Sequence, residues 1–217
     1  MAELNKRAHR RAVRSYRLDF WFDFASTYSF LSAMRVGPAA ARRKVAVKWR
    51  PFLLGPIFRA QGWNTSPFAI YPAKGRYMWR DIERRAARFG LPFKRPDADD
   101  PRSFPQNSLL AARMALVALE EPWGEGFCRD VFFAEWVDGR DISEAAVLEE
   151  LASRYTAPAE LVEQALSPGN KERLKKSVEE AAQRGLFGAP SFTIGNELFW
   201  GDDRLEEALE WADAIIG

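Results

Sequence analysis

The stretch Leu18-Asp19-Phe20-Trp21-Phe22-Asp23-Phe24 runs directly into Ala25-Ser26-Thr27-Tyr28-Ser29. In its first half, Leu18, Phe20, Phe22 and Phe24 alternate with other residues, the period-2 signature of a β-strand. Ser26 then offers an N-cap hydroxyl, and Phe30, Leu31 and Met34 continue at helical spacing. Gly37-Pro38 is expected to end or kink that helix. Val45-Ala46-Val47-Lys48-Trp49-Arg50-Pro51-Phe52 reads as a second strand. A strand, a helix and a strand in this order form a βαβ unit, whose two strands are parallel.

The chain changes character from about residue 56 to residue 185. A stretch rich in Gly, Pro and aromatic residues (Gly55-Pro56, Gly62-Trp63-Asn64, Pro67, Pro72) reads as a loop. Helical segments are predicted over 77–89, 107–119, 127–136, 143–154, 158–166 with Pro158 at its first position, and 170–184 before Gly185. β-structure returns at the end. Ser191-Phe192-Thr193-Ile194 and Leu198-Phe199-Trp200 flank Gly195-Asn196-Glu197, the signal of an antiparallel hairpin. A last helix places Leu205, Ala208, Leu209, Ala212 and Ile216 on one face, with Asp203 and Glu206 as a carboxylate capping box. The order β-α-β, helices, β-β-α predicts an α/β protein with a thioredoxin-like fold and a large all-helical insertion. The expected division is a thioredoxin-like domain from 18–55 and 186–217, an insertion over 56–185, and a basic, disordered leader over 1–17.

Charge and composition exclude several functions. The net charge is +2, but the leader carries Lys6, Arg7, Arg10, Arg11, Arg14 and Arg17 against Glu3, so the remaining residues sum to −3. The basic excess therefore belongs to a tail and not to a nucleic-acid-binding face. No run of apolar residues is long enough to span a membrane. The leader lacks the apolar region of a secretory signal, so the cytoplasm is the default compartment. The single cysteine, Cys128, excludes a CxxC redox pair and a cysteine-rich metal site. The single histidine, His9, lies in the leader, so neither a Ser-His-Asp triad nor a histidine metal centre is expected.

Three loops remain as candidates for chemistry. Ser26 and Ser29 stand where strand one meets helix one, a place where ligands settle in open α/β sheets and where helix N–H groups favour an anion. Ser26 reads either as a simple cap or as part of a site. Gly188-Ala189-Pro190-Ser191 reads either as an ordinary strand entry or as a cis-proline that presents the Ala189 backbone to an extended ligand. In Trp200-Gly201-Asp202-Asp203-Arg204 the two acids read either as helix caps or as a binder of a ligand ammonium.

The combination Asp23-Phe-x-Ser26-x-Tyr28-Ser29, Gly188-x-Pro190 and Trp200-Gly-x-Asp203-Arg204 resembles the 2-hydroxychromene-2-carboxylate isomerases and kappa-class glutathione transferases of the DsbA-like thioredoxin group. Pro72-Ala73-Lys74-Gly75-x-Tyr77 and Phe104-Pro105-x-Asn107-Ser108 support it, and the likeness covers about residues 18–215. The resemblance implies an enzyme with glutathione as co-substrate and a small aromatic substrate, with neither nucleic acid nor membrane as partner and a homodimer as the family arrangement. It implies that Ser26 donates a hydrogen bond to the glutathione sulfur and that Ala189, before cis-Pro190, pairs with the glutathione backbone. Trp200, Gly201, Asp202 and Asp203 would hold the γ-glutamyl end. Phe58, Tyr77 and Trp79, with Trp63 and Phe68, would line an aromatic slot where Lys74 meets a substrate carboxylate. Thr27 and Ala189 replace the usual proline and valine. The implied activity is a glutathione-dependent isomerisation; conjugation of electrophiles and a non-catalytic binding module are the alternatives.

Overall fold

The computed structural model describes residues 17–97 and 104–216, so the expectation of a disordered leader over 1–17 lies outside the described residues except at Arg17, which belongs to the first strand. The first strand, β1 (Arg17–Phe22), runs parallel to β2 (Ala46–Pro51), with Phe20 opposite Trp49. Between them lies α1 (Thr27–Arg42). The chain returns to the sheet as β3 (Ser191–Ile194), antiparallel to β1, and β4 (Glu197–Trp200), giving the order β2-β1-β3-β4. Gly195, at φ 60°, and Asn196 make the tight turn expected of the hairpin. The mixed sheet and intervening helices are the thioredoxin-like fold with a helical insertion that the sequence predicts.

Alternation in β1 is only half of its story. Leu18, Phe20 and Phe22 enter the main core, yet Trp21 is equally buried on the other face against Phe52, Ile57 and Leu186. The Trp21 indole N–H donates to Thr193 Oγ1 at 3.0 Å, so its one polar atom is satisfied there. A strand covered on both faces needs apolar residues at nearly every position.

Between β2 and β3 the described chain is helical: α2 (Leu54–Ala60), α3 (Pro67–Ile70), α4 (Pro72–Phe89), α5 (Leu109–Ala118), α6 (Gly124–Phe133), α7 (Ala145–Ala152), α8 (Leu161–Leu166) and α9 (Pro168–Gln183). A π-turn, Ala134–Asp138, extends α6. The last helix, α10 (Leu205–Ile216), follows a 3-10 turn at Asp202–Arg204. One continuous core joins sheet residues such as Phe22 and Phe192 to Met78, Ile82, Met114, Phe127, Phe132 and Leu148 of the helices. Each such fully buried side chain contributes about 1.5–3 kcal/mol.

Several local expectations are corrected. α1 runs through Pro38 instead of ending there. Gly37 lacks the Cβ that would meet the proline ring, and Ala39 and Ala40, each 2% exposed, anchor the last turn in the core. The stretch read as a loop contains α2 and α3. Pro56 lies in the first turn of α2, where no N–H partner is lost, and Pro67 starts α3 after Ser66, whose Oγ accepts from Phe68 N at 3.2 Å. The proline that starts a helix later in the chain is Pro168 and not Pro158: Ser167 caps α9 by accepting from Asn170 N. The capping box at Asp203 and Glu206 does not form, because Arg35 draws the Glu206 carboxylate away.

Candidate active site

The site is built where β1 ends. Asp23 follows the strand and is buried, and its carboxylate ties three segments to one point. Oδ1 accepts from Ala25 N at 3.1 Å and from Ser108 Oγ at 2.6 Å; Oδ2 accepts from Leu54 N at 2.8 Å. The entrance of α1 and the starts of α2 and α5 are thereby fixed together. Burial pushes the Asp23 carboxyl above its ordinary value, and the three donated hydrogen bonds oppose that rise. The sequence reading assigned Asp23 no role; its strand-to-helix position was the available signal.

Ser26 makes two hydrogen bonds, one of them the cap that the sequence offers. Its Oγ caps α1 by accepting from Ser29 N at 3.2 Å, and donates its proton to Ala189 O at 2.9 Å, across 163 residues of chain. The Ala189–Pro190 bond is cis, as is Phe104–Pro105, which was not foreseen. In the first turn of α1, the N–H groups of Thr27 and Tyr28 have no hydrogen-bond partner among the described residues. They leave a positive helix end beside the Ser26 hydroxyl. The Ser29 hydroxyl is fully buried without a partner among the described residues and does not line the cleft.

Above this floor lies a cleft of about 1070 Å³. Ser26, Ala189, Trp200, Gly201, Asp202 and Asp203 all line it, as do Phe58, Lys74 and Tyr77; Trp63 and Phe68 join them. Pro190 is buried behind Ala189. Trp79 is the exception among the expected aromatic residues. Its ring packs at 4.8 Å from Phe104, and near Phe93 and Trp136, as part of the core wall. Lys74 Nζ stands 5.0 Å from the Tyr71 ring centroid at the exposed rim. Trp200 is half exposed and meets Phe187 at 4.8 Å, and a side chain on Gly188 would strike its indole.

The two adjacent acids differ sharply. Asp202 is 1% exposed, and its carboxylate accepts from Ser32 Oγ at 3.2 Å, Arg35 Nη1 at 2.7 Å and Arg85 Nε at 2.7 Å. Asp203 is exposed and has no hydrogen bond or ion pair among the described residues. Sequence reasoning missed Arg85 and also Asp81, which accepts from the Tyr28 hydroxyl at 3.1 Å. Burial, then the neighbouring Asp81 charge, raises the Tyr28 phenol. Both missed residues lie on α4, whose charged surface gave no sequence cue that one flank faces a cleft. No group of metal-binding side chains occurs among the described residues, and no described helix is long and apolar enough to cross a membrane.

A βαβ unit and a β-hairpin that bring a helix N-terminus against a cis-proline define a thioredoxin-type site, here with serine where a thiol could stand. The DSBA-like thioredoxin domain matches residues 17–210, and the chain belongs to that family. It is 30% identical to the 2-hydroxychromene-2-carboxylate isomerase of Sphingobium xenophagum over 194 residues, covering 87% of this chain and 94% of that one. It is 26% identical to glutathione S-transferase kappa 1 of Homo sapiens, with 87% of each covered. Among solved structures, a 2-hydroxychromene-2-carboxylate isomerase superposes with a TM-score of 0.75 at 26% identity, covering 92% of this chain and 95% of that one.

Proposed function

We propose that this protein is a glutathione-dependent isomerase of the 2-hydroxychromene-2-carboxylate type, acting on a conjugated aromatic 2-oxo acid. The observation that carries the reading is the convergence of Ser26 Oγ, the free amides of Thr27 and Tyr28, and the Ala189 backbone on the floor of an aromatic-lined cleft. The chain has no thiol of its own there, because Cys128 is fully buried in the helical core. The residues present fit a thiolate bound at α1 and a peptide backbone laid along Ala189. Glutathione, when bound, supplies the nucleophilic sulfur that adds to the substrate, lets the former double bond rotate, and leaves again.

The task of Ser26 and α1 is to favour the thiolate over the thiol. Bringing a thiol pKa from about 9 to neutrality requires roughly 3 kcal/mol. A hydroxyl bond to a charged acceptor contributes about 1.5–3 kcal/mol. The Ser26 proton must first leave Ala189 O, which costs about 0.5–1.5 kcal/mol unless a ligand N–H takes its place. The positive end of α1 adds about 0.3–2 kcal/mol. Ser26 alone falls short once its existing bond is counted, so the Thr27 and Tyr28 amides are needed. Phe58, Trp63 and Phe68 supply apolar lining for the aromatic ring, and Lys74 at the rim supplies a cation for the substrate carboxylate.

The test is calorimetric titration with glutathione, followed by spectroscopic assay of hydroxychromene carboxylate isomerisation with and without it. Binding together with glutathione-dependent turnover is expected. Absence of binding at millimolar glutathione would leave only a thioredoxin-like binding module. Turnover of an aryl halide without isomerisation would point to a kappa-type transferase.

A further inference from the structure

One stripe of α4 faces the cleft. Lys74, Met78, Asp81 and Arg85 recur at helical spacing, and all four line the cavity. Tyr28 of α1 reaches the same wall, half-buried, with its ring 6.1 Å from that of Phe68. Its hydroxyl donates to Asp81 Oδ2 at 3.1 Å, and Arg84 Nη2 donates to Asp81 Oδ1 at 3.0 Å. Chemistry fixes the direction of the first bond, because a carboxylate held between a guanidinium and a phenol only accepts. Burial and the Asp81 charge both raise the Tyr28 phenol above its ordinary value, so its proton stays in place.

With that proton committed to Asp81, Tyr28 Oη keeps free lone pairs and accepts from no group among the described residues. The cleft thus presents an unmatched acceptor set beside aromatic rings. An ether, carbonyl or carboxylate oxygen placed there would set lone pairs against lone pairs. A hydroxyl would instead complete a chain from ligand to Tyr28 to Asp81, whose bonds strengthen one another. Lys74 and Asp81 share one face of α4 two turns apart, about 10 Å along the helix. The closed and opened forms of the substrate differ in what they offer such a wall. In the closed hydroxychromene the hydroxyl and the carboxylate share one carbon, and the ring oxygen carries no proton. Opening turns that ring oxygen into a phenol, separated from the carboxylate by the conjugated chain.

We propose that Tyr28, oriented by Asp81, accepts a hydrogen bond from the phenolic hydroxyl of the ring-opened substrate and so selects ortho-hydroxylated aromatic 2-oxo acids over those without the hydroxyl. The assignment rests on the isomerase reading above and adds to it the residue that reads the ring substituent. Tyr28 makes the contact. Asp81 is a positioning residue, which keeps the Tyr28 proton turned away from the ligand.

The experiment varies ligand and protein together. Full-length wild type, Tyr28→Phe and Asp81→Ala are titrated calorimetrically with trans-2-hydroxybenzylidenepyruvate, its 2-methoxy counterpart and unsubstituted trans-benzylidenepyruvate, without glutathione so that no ligand is turned over. Wild type is expected to bind the hydroxy acid roughly tenfold more tightly than either analogue. In Tyr28→Phe that preference should fall to about threefold or less. Asp81→Ala releases the Tyr28 proton for donation to a methoxy oxygen, so the methoxy acid should gain on the hydroxy acid by about threefold or more relative to wild type. A pair that only braced α1 against α4 would weaken all three ligands alike. Equal preferences in wild type and Tyr28→Phe would overturn the assignment while leaving the isomerase reading intact. Weaker glutathione binding by Tyr28→Phe with the hydroxyl preference unchanged would also overturn it, giving the acceptor to glutathione. Failure of wild type to bind the hydroxy acid would overturn the assignment and the reading together. Tyr28→Phe keeps both the ring against Phe68 and the α1 amide, and it carries the test alone should Asp81→Ala not fold by circular dichroism.

Discussion

A single hydroxyl proton decides how Ser26 works. It is given to Ala189 O, and in the proposed reaction the sulfur receives it at the cost of that bond, or at no cost where a ligand N–H takes its place. Replacing Ser26 with Ala is therefore expected to lower kcat/KM by roughly tenfold to a hundredfold. It should also cost about 1 kcal/mol of stability from the lost cap. Activity assays and urea unfolding separate the two, since a purely capping residue would change stability alone. Asp23 carries a different prediction. Its folded-state pKa is raised, so the folded protein binds that proton more tightly than the unfolded chain does. The group therefore opposes folding at neutral pH, and its penalty is relieved as pH falls toward the carboxylate range. Asp23→Asn removes this relief and sets an amide N–H against the donors Leu54 N, Ala25 N and Ser108 Oγ. The variant is expected to be about 1–3 kcal/mol less stable. Its deficit relative to wild type should widen as the pH falls from neutral into the carboxylate range, as read by urea unfolding; a deficit that narrows would contradict the assignment. Ser26, Ala189 and the acids of the 202–203 pair were legible because local turn chemistry marks them. Arg85 and Asp81 were not, because only tertiary packing decides which flank of α4 faces a cleft.

Elements were legible where one physical signal dominated. The aromatic alternation of β1, the Gly195-Asn196 turn and the buried face of α10 all survive in the folded protein. Proline-rich stretches were harder, since a proline stops a helix in its interior and starts one in its first turn. Pro56, Pro67 and Pro168 lie in first turns. Pro38 sits inside α1, where packing of Ala39 and Ala40 overrides its missing N–H. Because Pro38 itself is exposed, Pro38→Ala should restore the bond to the Met34 carbonyl without touching the core. An increase in stability of about 1–3 kcal/mol is expected, measured by thermal or urea unfolding.

On the scale of the whole molecule, the helical segment and the sheet share one core, and Cys128 is sealed within it. Burial raises the Cys128 thiol well above its ordinary value, so it stays protonated and inert. An aromatic disulfide reagent should find no reactive thiol in the native protein and one per chain after denaturation, and Cys128→Ala should retain glutathione-dependent turnover. Rapid native labelling, or lost turnover in that variant, would place a protein thiol back in the chemistry. The sheet itself is assembled from distant parts of the chain: β1 and β2 come from residues 17–51, while β3 and β4 come from residues 191–200. During synthesis the antiparallel edge of β1 therefore has no native partner until the whole helical segment has been made. Closing so long a loop costs only about 0.6 kcal/mol more than closing one half as long, but it is slow, and an unpaired strand edge invites association with other chains meanwhile. The bond from Ser26 to Ala189 spans the same gap, so the pocket is among the last things the ribosome's product acquires, and a nascent chain has no such cleft to offer a ligand before then.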